Sequence, residues 1–377
     1  MKVGVPKETA PGERRVALIP DSVRRLAEAN VDVLVEKGAG DEAAALDSAY
    51  EEAGAAISGD VYGDADLVAK VQSPSEHEIG RLREGQALVA LLQPLTSPEL
   101  LGALAGKRIT AFSMDSIPRI TRAQSMDALS SQSTVAGYKA VVLAASHLGK
   151  FFPMLTTAAG TIAPARVLVL GAGVAGLQAI ATARRLGANV VATDVRPEVK
   201  EQIESVGAKY VGIELSESAA AGGGYAKELS EEDRRRQSEL LNAECAQSDV
   251  VITTALIGGV FAPRLISAAT VKTMKPGSVI VDLGADGGGN CELSQPGKTV
   301  QVGGVTILAP LNLPATVPFH ASLLFSRNLT AFVQAFTKDK LFVLDFGDDI
   351  QQGAVITHDG EVKHARTREA LEKEAHK

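Results

Sequence analysis

The fold is decided by a run of six residues, Gly171-Ala172-Gly173-Val174-Ala175-Gly176. The run follows a short apolar stretch at 167–170 and precedes a helical pattern over 177–186. In this context Gly171 permits a tight turn, Gly173 lets the backbone approach a pyrophosphate, and Gly176 lets the helix press on the sheet. The amides at the start of the helix can then hold the pyrophosphate. A glycine-rich turn without a ligand is the alternative, but the flanking strand and helix favour a dinucleotide site.

An acidic residue stands where a dinucleotide-binding unit needs one. A second strand is predicted at 189–193, and it ends at Asp194, 23 positions after Gly171. A carboxylate there can accept hydrogen bonds from the adenosine ribose, and it would repel a 2′-phosphate, which favours NAD over NADP. Arg196 weakens this inference, since a nearby arginine can accommodate the 2′-phosphate of NADP.

Short apolar runs alternate with helical patterns along the whole chain, which is typical of parallel strands joined by crossover helices. Strands are predicted at 2–6, 31–36, 67–71, 87–92, 108–113, 167–170, 189–193, 209–211, 250–254, 278–282 and 306–308. A long connecting helix is predicted from 130 to about 152. We therefore expect an α/β protein with two Rossmann-like, doubly wound domains and an interdomain cleft for ligands.

The chain is expected to cross between the two domains twice. The first domain is predicted over 1–128 plus 320–377, and the NAD(H)-binding domain, with the connecting helix, over 129–319. The tail returning to the first domain is predicted to hold a helix at 321–336, a strand at 341–346 and a hairpin that turns at Asp359-Gly360.

Composition excludes several classes of protein. The 377 residues include 38 basic and 45 acidic ones, a formal net charge of −7, so nucleic acid is not an expected partner. The apolar runs are too short for a spanning helix. The two cysteines, Cys245 and Cys291, are too few for a metal site or a disulfide framework, and no metal is expected. The start of the chain lacks the apolar stretch of a secretory signal, so we expect a cytoplasmic protein and read the sequon at Asn328 as chance.

An acid or base for a substrate oxygen is hard to find. Of the six histidines, only His320 lies where it can face the cleft, and a structural histidine is the alternative. A hydride acceptor that is itself a nicotinamide would need no such group, since no proton moves at the reacting carbon.

A second segment carries a family resemblance. Residues 117–133 read Ile-Pro-Arg-Ile-Thr-Arg-Ala-Gln-Ser-Met-Asp-Ala-Leu-Ser-Ser-Gln-Ser. This segment resembles the NAD(H)-binding domain I of proton-translocating nicotinamide nucleotide transhydrogenases. Residues 157–161, 171–183, 223–228, 253–257 and 288–291 agree with the same family, and the resemblance covers essentially the whole chain.

The resemblance implies a set of site residues. In the family, the loop that matches 119–130 lies beside the nicotinamide, which implies catalytic roles for Arg119, Gln124, Asp127 and Ser130. Gln124 and Ser130 can hydrogen-bond a carboxamide, while Arg119 and Asp127 can pair and fix the ring. From the residues alone, a capped helix start with Asp127 or Ser125 as N-cap is the alternative. The implied NAD(H) contacts are Gly171, Ala172, Gly173, Val174, Gly176, Asp194, Val195, Arg196, Gly224, Tyr225, Ala255 and Leu256.

An irregular, glycine-rich stretch at 214–227 matches the mobile loop of the same family. Three glycines before Tyr225 suit a lid that closes over bound nucleotide and excludes water. A plain linker is the alternative.

The family is related to alanine dehydrogenase, which supplies the rival interpretation. Arg15, Lys70 and Asp286 match substrate-binding positions of that enzyme. However, Gln93 stands where alanine dehydrogenase has its catalytic histidine, and a glutamine cannot exchange a proton. Two positions depart from the transhydrogenase pattern: Gly258 replaces a common proline, and residues 285–287 read Ala-Asp-Gly in place of Val-Glu-Ala.

The resemblance thus implies the NAD(H)-binding subunit of a Re/Si-specific, proton-translocating transhydrogenase. Hydride would pass directly between NADH on this chain and NADP(H) on a partner subunit, and protons would cross in a separate membrane-spanning subunit. The implied chain is a homodimer, attached to the inner membrane only through its partners. The alternatives are an alanine dehydrogenase-type enzyme and a non-catalytic NAD-binding module.

Overall fold

The computed structural model describes residues 1–212, 230–256, 261–365, 367–369 and 371. The chain divides into two compact units, Met1–Gln132 with Pro314–Lys377, and Ser133–Leu313. Each unit is built on a largely parallel sheet flanked by helices, so the predicted α/β class with two doubly wound domains is confirmed. The boundaries 128/129 and 319/320 stay a prediction about separately folding domains.

The strands and helices follow one another in regular alternation. The strands are β1 (Lys2–Val5), β2 (Asp32–Glu36), β3 (Ala56–Ser58), β4 (Leu67–Ala69), β5 (Ala87–Ala90), β6 (Thr110–Ser113), β7 (Leu155–Thr157), β8 (Gly160–Ile162), β9 (Arg166–Leu170), β10 (Asn189–Thr193), β11 (Lys209–Tyr210), β12 (Val250–Thr253), β13 (Val279–Asp282), β14 (Thr299–Val302), β15 (Val305–Leu308), β16 (Thr337–Lys338), β17 (Leu341–Phe342), β18 (Val355–His358) and β19 (Glu361–Val362). The helices are α1 (Pro20–Glu28), α2 (Asp47–Glu52), α3 (Val61–Asp64), α4 (Glu76–Arg81), α5 (Pro98–Gly106), α6 (Ala128–His147), α7 (Val174–Arg185), α8 (Val199–Ser205), α9 (Glu231–Gln247), α10 (Ala268–Thr273), α11 (Pro318–Ala335) and α12 (Asp349–Ala354).

In the first unit, eight of the described strands form a sheet in the order β19-β18-β6-β5-β4-β1-β2-β3, and β16 and β17 pair separately. The strands from β1 to β6 are parallel and follow the order 3-2-1-4-5-6 of a doubly wound sheet. The apolar side chains of β4, β5 and β6 are buried on both faces, which explains why these strands read as continuous hydrophobic runs. The short edge strand β3 was not predicted.

The C-terminal tail joins the first sheet through a hairpin. β18 pairs antiparallel with β6, and β18 and β19 turn at Asp359-Gly360, so the predicted hairpin is confirmed. The strand predicted at 341–346 was wrong in extent, because only Leu341–Phe342 pairs, with β16. Beyond it, Asp345 accepts the backbone N–H of Gly347 and Asp348 caps α12, so these side chains stabilise a turn.

In the second unit, β7 and β8 form a separate antiparallel pair, and the other described strands form a sheet in the order β11-β10-β9-β12-β13-β15-β14. Apart from β14, which is antiparallel to β15 and was not predicted, the strands of this sheet are parallel and again follow the order 3-2-1-4-5-6. The chain order therefore reverses between β9 and β12, the point at which doubly wound sheets bind ligands. The predicted connecting helix is α6, which ends earlier than expected, at His147.

In the part of the chain that the structure describes, no helix has the length and apolar character needed to cross a membrane. Within the same residues no group of three or more histidine, cysteine or acidic side chains is placed to hold a metal ion. Cys245 and Cys291 are both buried and unbridged, and burial raises the pKa of each thiol. Neither thiol is therefore disposed to react at neutral pH.

Candidate functional site

The glycine-rich turn lies at the end of β9, where the strand order of the second unit reverses. Gly171 has φ +91°, and a Cβ on it would lie 2.8 Å from Thr254 Oγ1. A Cβ on Gly176 would lie 2.0 Å from the carbonyl oxygen of Gly171. Both positions therefore need glycine because of contacts within the protein itself.

Gly173 differs from its two neighbours in the motif. Its φ of −72° suits any residue, and a Cβ on it would meet no described atom within 4 Å. Gly173 is the N-cap of α7, and the exposed Val174 is the first residue of that helix. Open space at a helix N-terminus is the shape that a pyrophosphate group requires. The fold needs no glycine at 173, whereas close approach of a ligand would.

Asp194 follows β10, but its carboxylate is already engaged. Its Oδ2 accepts the backbone N–H of Ala172 at 2.8 Å, and the guanidinium of Arg196 donates to both carboxylate oxygens at 2.9 Å. Hydrogen bonding to Asp194 raises the pKa of Arg196, so this side chain is charged throughout the working range of pH. Ribose hydroxyls would have to share or replace Arg196 on Asp194. Val195 lies between the two and is half-buried.

Asn290 shapes the opposite wall of the turn, although the sequence singles it out only as one letter of a longer motif. Its buried amide accepts the backbone N–H of Ala255 at 3.2 Å and donates to the carbonyl of Ala255 at 2.9 Å. Asp282 fixes the same segment from inside, since it accepts the hydroxyls of Thr253 and Ser294 and the N–H of Cys291. Leu256 follows and is half-buried. Asp282 is the polar last residue of the apolar strand β13, which is a sequence signal, whereas no local pattern marks Asn290 beyond the family motif.

The loop predicted to hold the nicotinamide belongs to the first unit. It forms a 3-10 helix, Thr121–Met126, followed at once by α6. Asp127 accepts the backbone N–H of Ser130 at 2.8 Å and its hydroxyl at 2.6 Å. Asp127 therefore caps α6, as the structural alternative predicted, and this cap brings Asp127 and Ser130 together. Arg119 and Gln124 are exposed, and a pairing of Arg119 with Asp127 stays a prediction.

The two cations matched to alanine dehydrogenase lie in the first unit, each engaged by carboxylates. Arg15 donates to both oxygens of Glu13, at 2.8 and 2.7 Å. Lys70 follows β4 directly and contacts Glu8 at 3.1 Å and Glu78 at 2.8 Å, with all three side chains at most 4% exposed. The reversal point of this sheet, between β1 and β4, is thus filled by an internal ion cluster.

The two glutamates on Lys70 differ in their acidity. For Glu78, burial acts to raise the pKa, but the charge and hydrogen bond of Lys70 outweigh it and lower the pKa to about 2. For Glu8, burial prevails and the pKa is raised despite Lys70. Lys70 and Glu78 therefore form the more strongly ionised pair.

The remaining candidates for proton transfer or substrate binding are exposed. Gln93 has a left-handed backbone, φ +49°, and its N–H donates to Asp115 at 2.9 Å. His320 is exposed at the start of α11, with its ring edge against Phe319. Asp286 is exposed in a short 3-10 turn. The predicted lid at 214–227, including Gly224 and Tyr225, lies outside the described residues, as does Gly258.

These features define a protein of two doubly wound units, with a dinucleotide-type turn in the second. The alanine dehydrogenase/PNT N-terminal domain matches residues 4–136, and the alanine dehydrogenase/PNT C-terminal domain matches residues 140–365. The chain belongs to the alanine dehydrogenase/PNT family, and the resemblance drawn from its sequence is confirmed.

The relatives of this chain within the family include a transhydrogenase subunit and an alanine dehydrogenase. An NAD(P) transhydrogenase subunit alpha chain of Rhodospirillum rubrum is 48% identical over 97% of this chain and 98% of its own length. A crystal structure of transhydrogenase from Sinorhizobium meliloti is 44% identical, with a TM-score of 0.89, over 96% of this chain and all of that one. An alanine dehydrogenase of Halomonas elongata is 32% identical over 98% of this chain and 97% of its own length.

Proposed function

We propose that this chain is an oxidoreductase, the NAD(H)-binding subunit of a proton-translocating NAD(P) transhydrogenase. It passes hydride directly between NADH on this chain and NADP+ on a partner subunit, with Re/Si specificity, and it is active only with its partners. The observation that carries the proposal is the open space at Gly173 in an otherwise closely packed glycine turn. The higher identity to the transhydrogenase subunit than to the alanine dehydrogenase supports it, 48% against 32%.

The residues present fit a nicotinamide dinucleotide. The turn at 171–176 would hold the pyrophosphate through helix N-terminal amides, with Ala255 and Leu256 on the opposite wall. Asp194 would accept the adenosine ribose hydroxyls. When bound, the cofactor supplies the hydride chemistry, and the protein supplies orientation. The amide of Gln124 and the hydroxyl of Ser130, which Asp127 fixes, would orient the carboxamide, together with Arg119.

Selectivity for NAD(H) gives a direct test of Asp194. In Asp194→Ser, the ribose loses its carboxylate acceptor, and the negative charge that would repel a 2′-phosphate beside Arg196 is removed. We expect the ratio of NADPH to NADH affinity to rise about tenfold or more, the size of one charge-assisted hydrogen bond. Calorimetric titration with both nucleotides measures this ratio. Glu204→Ser, which removes an exposed charge on α8, should leave it unchanged; an unchanged ratio in Asp194→Ser would refute the assignment.

The alanine dehydrogenase alternative is less well supported. Arg15 and Lys70 are each engaged by internal carboxylates, so neither presents an uncompensated charge to a keto acid. Gln93, at the position of the catalytic histidine, has no proton to exchange.

The assembly that we propose follows from the activity. Partners are an NADP(H)-binding subunit and a membrane-spanning subunit, which would attach this cytoplasmic chain peripherally to the inner membrane. We also propose a homodimer. The exposed hairpin β7–β8 supports this, because Met154, just before β7, and Ile162, in β8, are 62% and 42% exposed and would gain by burial against a second chain.

The decisive experiment mixes this protein with a purified NADP(H)-binding transhydrogenase subunit and follows hydride transfer from NADH to an NADP+ analogue. Pyruvate with ammonia serves as a parallel assay without the partner. Transfer that requires both proteins supports the proposal. Oxidation of NADH by pyruvate and ammonia alone would return the chain to the amino-acid dehydrogenases, and NADH binding without either reaction would leave a non-catalytic module.

Two variants in the loop 119–130, called the ring loop from here on, refine this experiment. Asp127→Asn removes one of the two oxygens that hold Ser130, and Gln124→Asn shortens the side chain that would reach the carboxamide. We expect each to slow transfer about tenfold to a hundredfold with unchanged NADH affinity, because misorientation of the ring affects the rate and not the binding of the adenosine end. Glu99→Gln, an exposed acid-to-amide change on α5, is the matched control. Wild-type rates in both loop variants would exclude the assigned roles.

A further inference from the structure

Helix α11 packs along the 3-10 helix of the ring loop and donates to its backbone through a buried side chain. Asn328 lies in the second half of α11 and is 7% exposed. Its Nδ2 donates to the backbone carbonyl of Ser125 at 2.8 Å, across 203 residues of sequence. The bond joins the ring loop to a rigid helix of eighteen residues in the same unit.

Stability alone does not explain an asparagine at this position. The Oδ1 of Asn328 is buried, and within the described part of the chain no donor reaches it. Reversing the amide would not help, because a carbonyl oxygen only accepts and the nitrogen must face Ser125. Asparagine is also a weak helix former. An apolar residue of similar size would remove the unpaired oxygen together with the donor to the Ser125 carbonyl, so what the amide adds is its bond to the loop.

The Ser125 carbonyl lies between two residues that are expected to orient the nicotinamide ring. Ser125 lies between Gln124 and Met126 in a short 3-10 helix, a form with weaker internal hydrogen bonds than an α-helix. Asp127, the cap of α6, is two residues further on. Holding the Ser125 carbonyl therefore restrains the backbone that carries Gln124 on one side and Asp127 on the other.

We propose that Asn328 is a positioning residue for hydride transfer. Its amide holds the loop 119–130 in the orientation that the nicotinamide ring needs, and it does so without touching the nucleotide. The inference rests on the proposed function, since it assigns Asn328 a role in that reaction. It adds to the ring site a helix of the C-terminal segment that the sequence motifs leave out.

Asn328→Leu and Asn328→Asp separate this role from a structural one. The leucine variant removes the donor to Ser125 and also the unpaired oxygen, two effects of opposite sign, so it should change the thermal unfolding midpoint little. The aspartate variant keeps the shape but places an acceptor against the Ser125 carbonyl. We expect both to slow single-turnover hydride transfer about tenfold to a hundredfold, while the NADH dissociation constant stays within about twofold.

Each rate is divided by the fraction of protein that binds NADH, so that a loss of folded protein is not mistaken for slower hydride transfer. Thr330→Val is the matched control, because Thr330 is also buried on α11 and its hydroxyl donates within the helix, to the carbonyl of Ser326. Wild-type transfer in Asn328→Leu, or an equal loss in Thr330→Val, would overturn the inference. Absence of transfer in the unmodified protein with its partner would instead count against the proposed function.

Discussion

Replacing Gly173 by alanine is expected to weaken NADH binding about tenfold to a hundredfold without lowering the thermal unfolding midpoint. The backbone at Gly173 suits alanine and no described atom lies near the new methyl group, so the folded protein loses nothing. The unfolded chain loses conformational freedom, which stabilises the variant by up to about 1 kcal/mol. A methyl group forced against a pyrophosphate costs about 1–3 kcal/mol, the stated loss of affinity.

Gly176→Ala is the matched contrast within the same motif. Its Cβ would lie 2.0 Å from the Gly171 carbonyl oxygen, so we expect lower stability of the second unit whether or not nucleotide is present. Calorimetric titration with NADH and thermal unfolding of both variants separate the two effects. Unchanged NADH affinity in Gly173→Ala would show that no pyrophosphate approaches this glycine.

The sequence predicted the elements of the fold well because they depend on local patterns. Parallel strands buried on both faces read as unbroken apolar runs, and glycines or polar residues mark their ends, as at Gly171 and Asp194. The edge strands β3 and β14 were missed because edge strands lack that double burial. Strand order is a property of non-local pairing, and only the general behaviour of α/β chains suggested it.

The candidate site, like the fold, could be predicted from the sequence where its residues form a local motif. Gly176 is required by the Gly171 carbonyl within the turn and Gly171 by its positive φ, both local features, so their spacing was informative. The contacts of Asn290 with Ala255 and of Asn328 with Ser125 span 35 and 203 residues, so no local sequence pattern could predict them. For the same reason a sequence motif marks residues that touch a ligand more readily than residues that hold the ligand contacts in place.

Replacing Lys70 is expected to have the other large effect, a loss of stability. In Lys70→Met, Glu8 and Glu78 stay buried without their shared counter-charge, and we expect a loss of about 3–5 kcal/mol in the free energy of unfolding at neutral pH. Lys37→Met, at an exposed lysine after β2, should change stability little. Adding Glu78→Gln to Lys70→Met should recover some of the loss, since one buried charge is then removed. Chemical denaturation of the four proteins measures these differences.

The same change should reverse the contribution of Glu78 to the pH dependence of stability. With Lys70 present, the pKa of Glu78 falls from its ordinary 4.5 to about 2, so its stabilisation is complete above pH 4.5 and is lost as the pH falls toward 2. Glu8, whose pKa is raised, acts in the opposite direction. Without Lys70, burial raises the pKa of both glutamates, the folded state binds more protons than the unfolded state, and stability increases as the pH falls from neutral toward 4.5. A variant that instead lost stability over this range would show that the two carboxylates find another positive partner, and the reversal point of the first sheet would then be open to rearrangement.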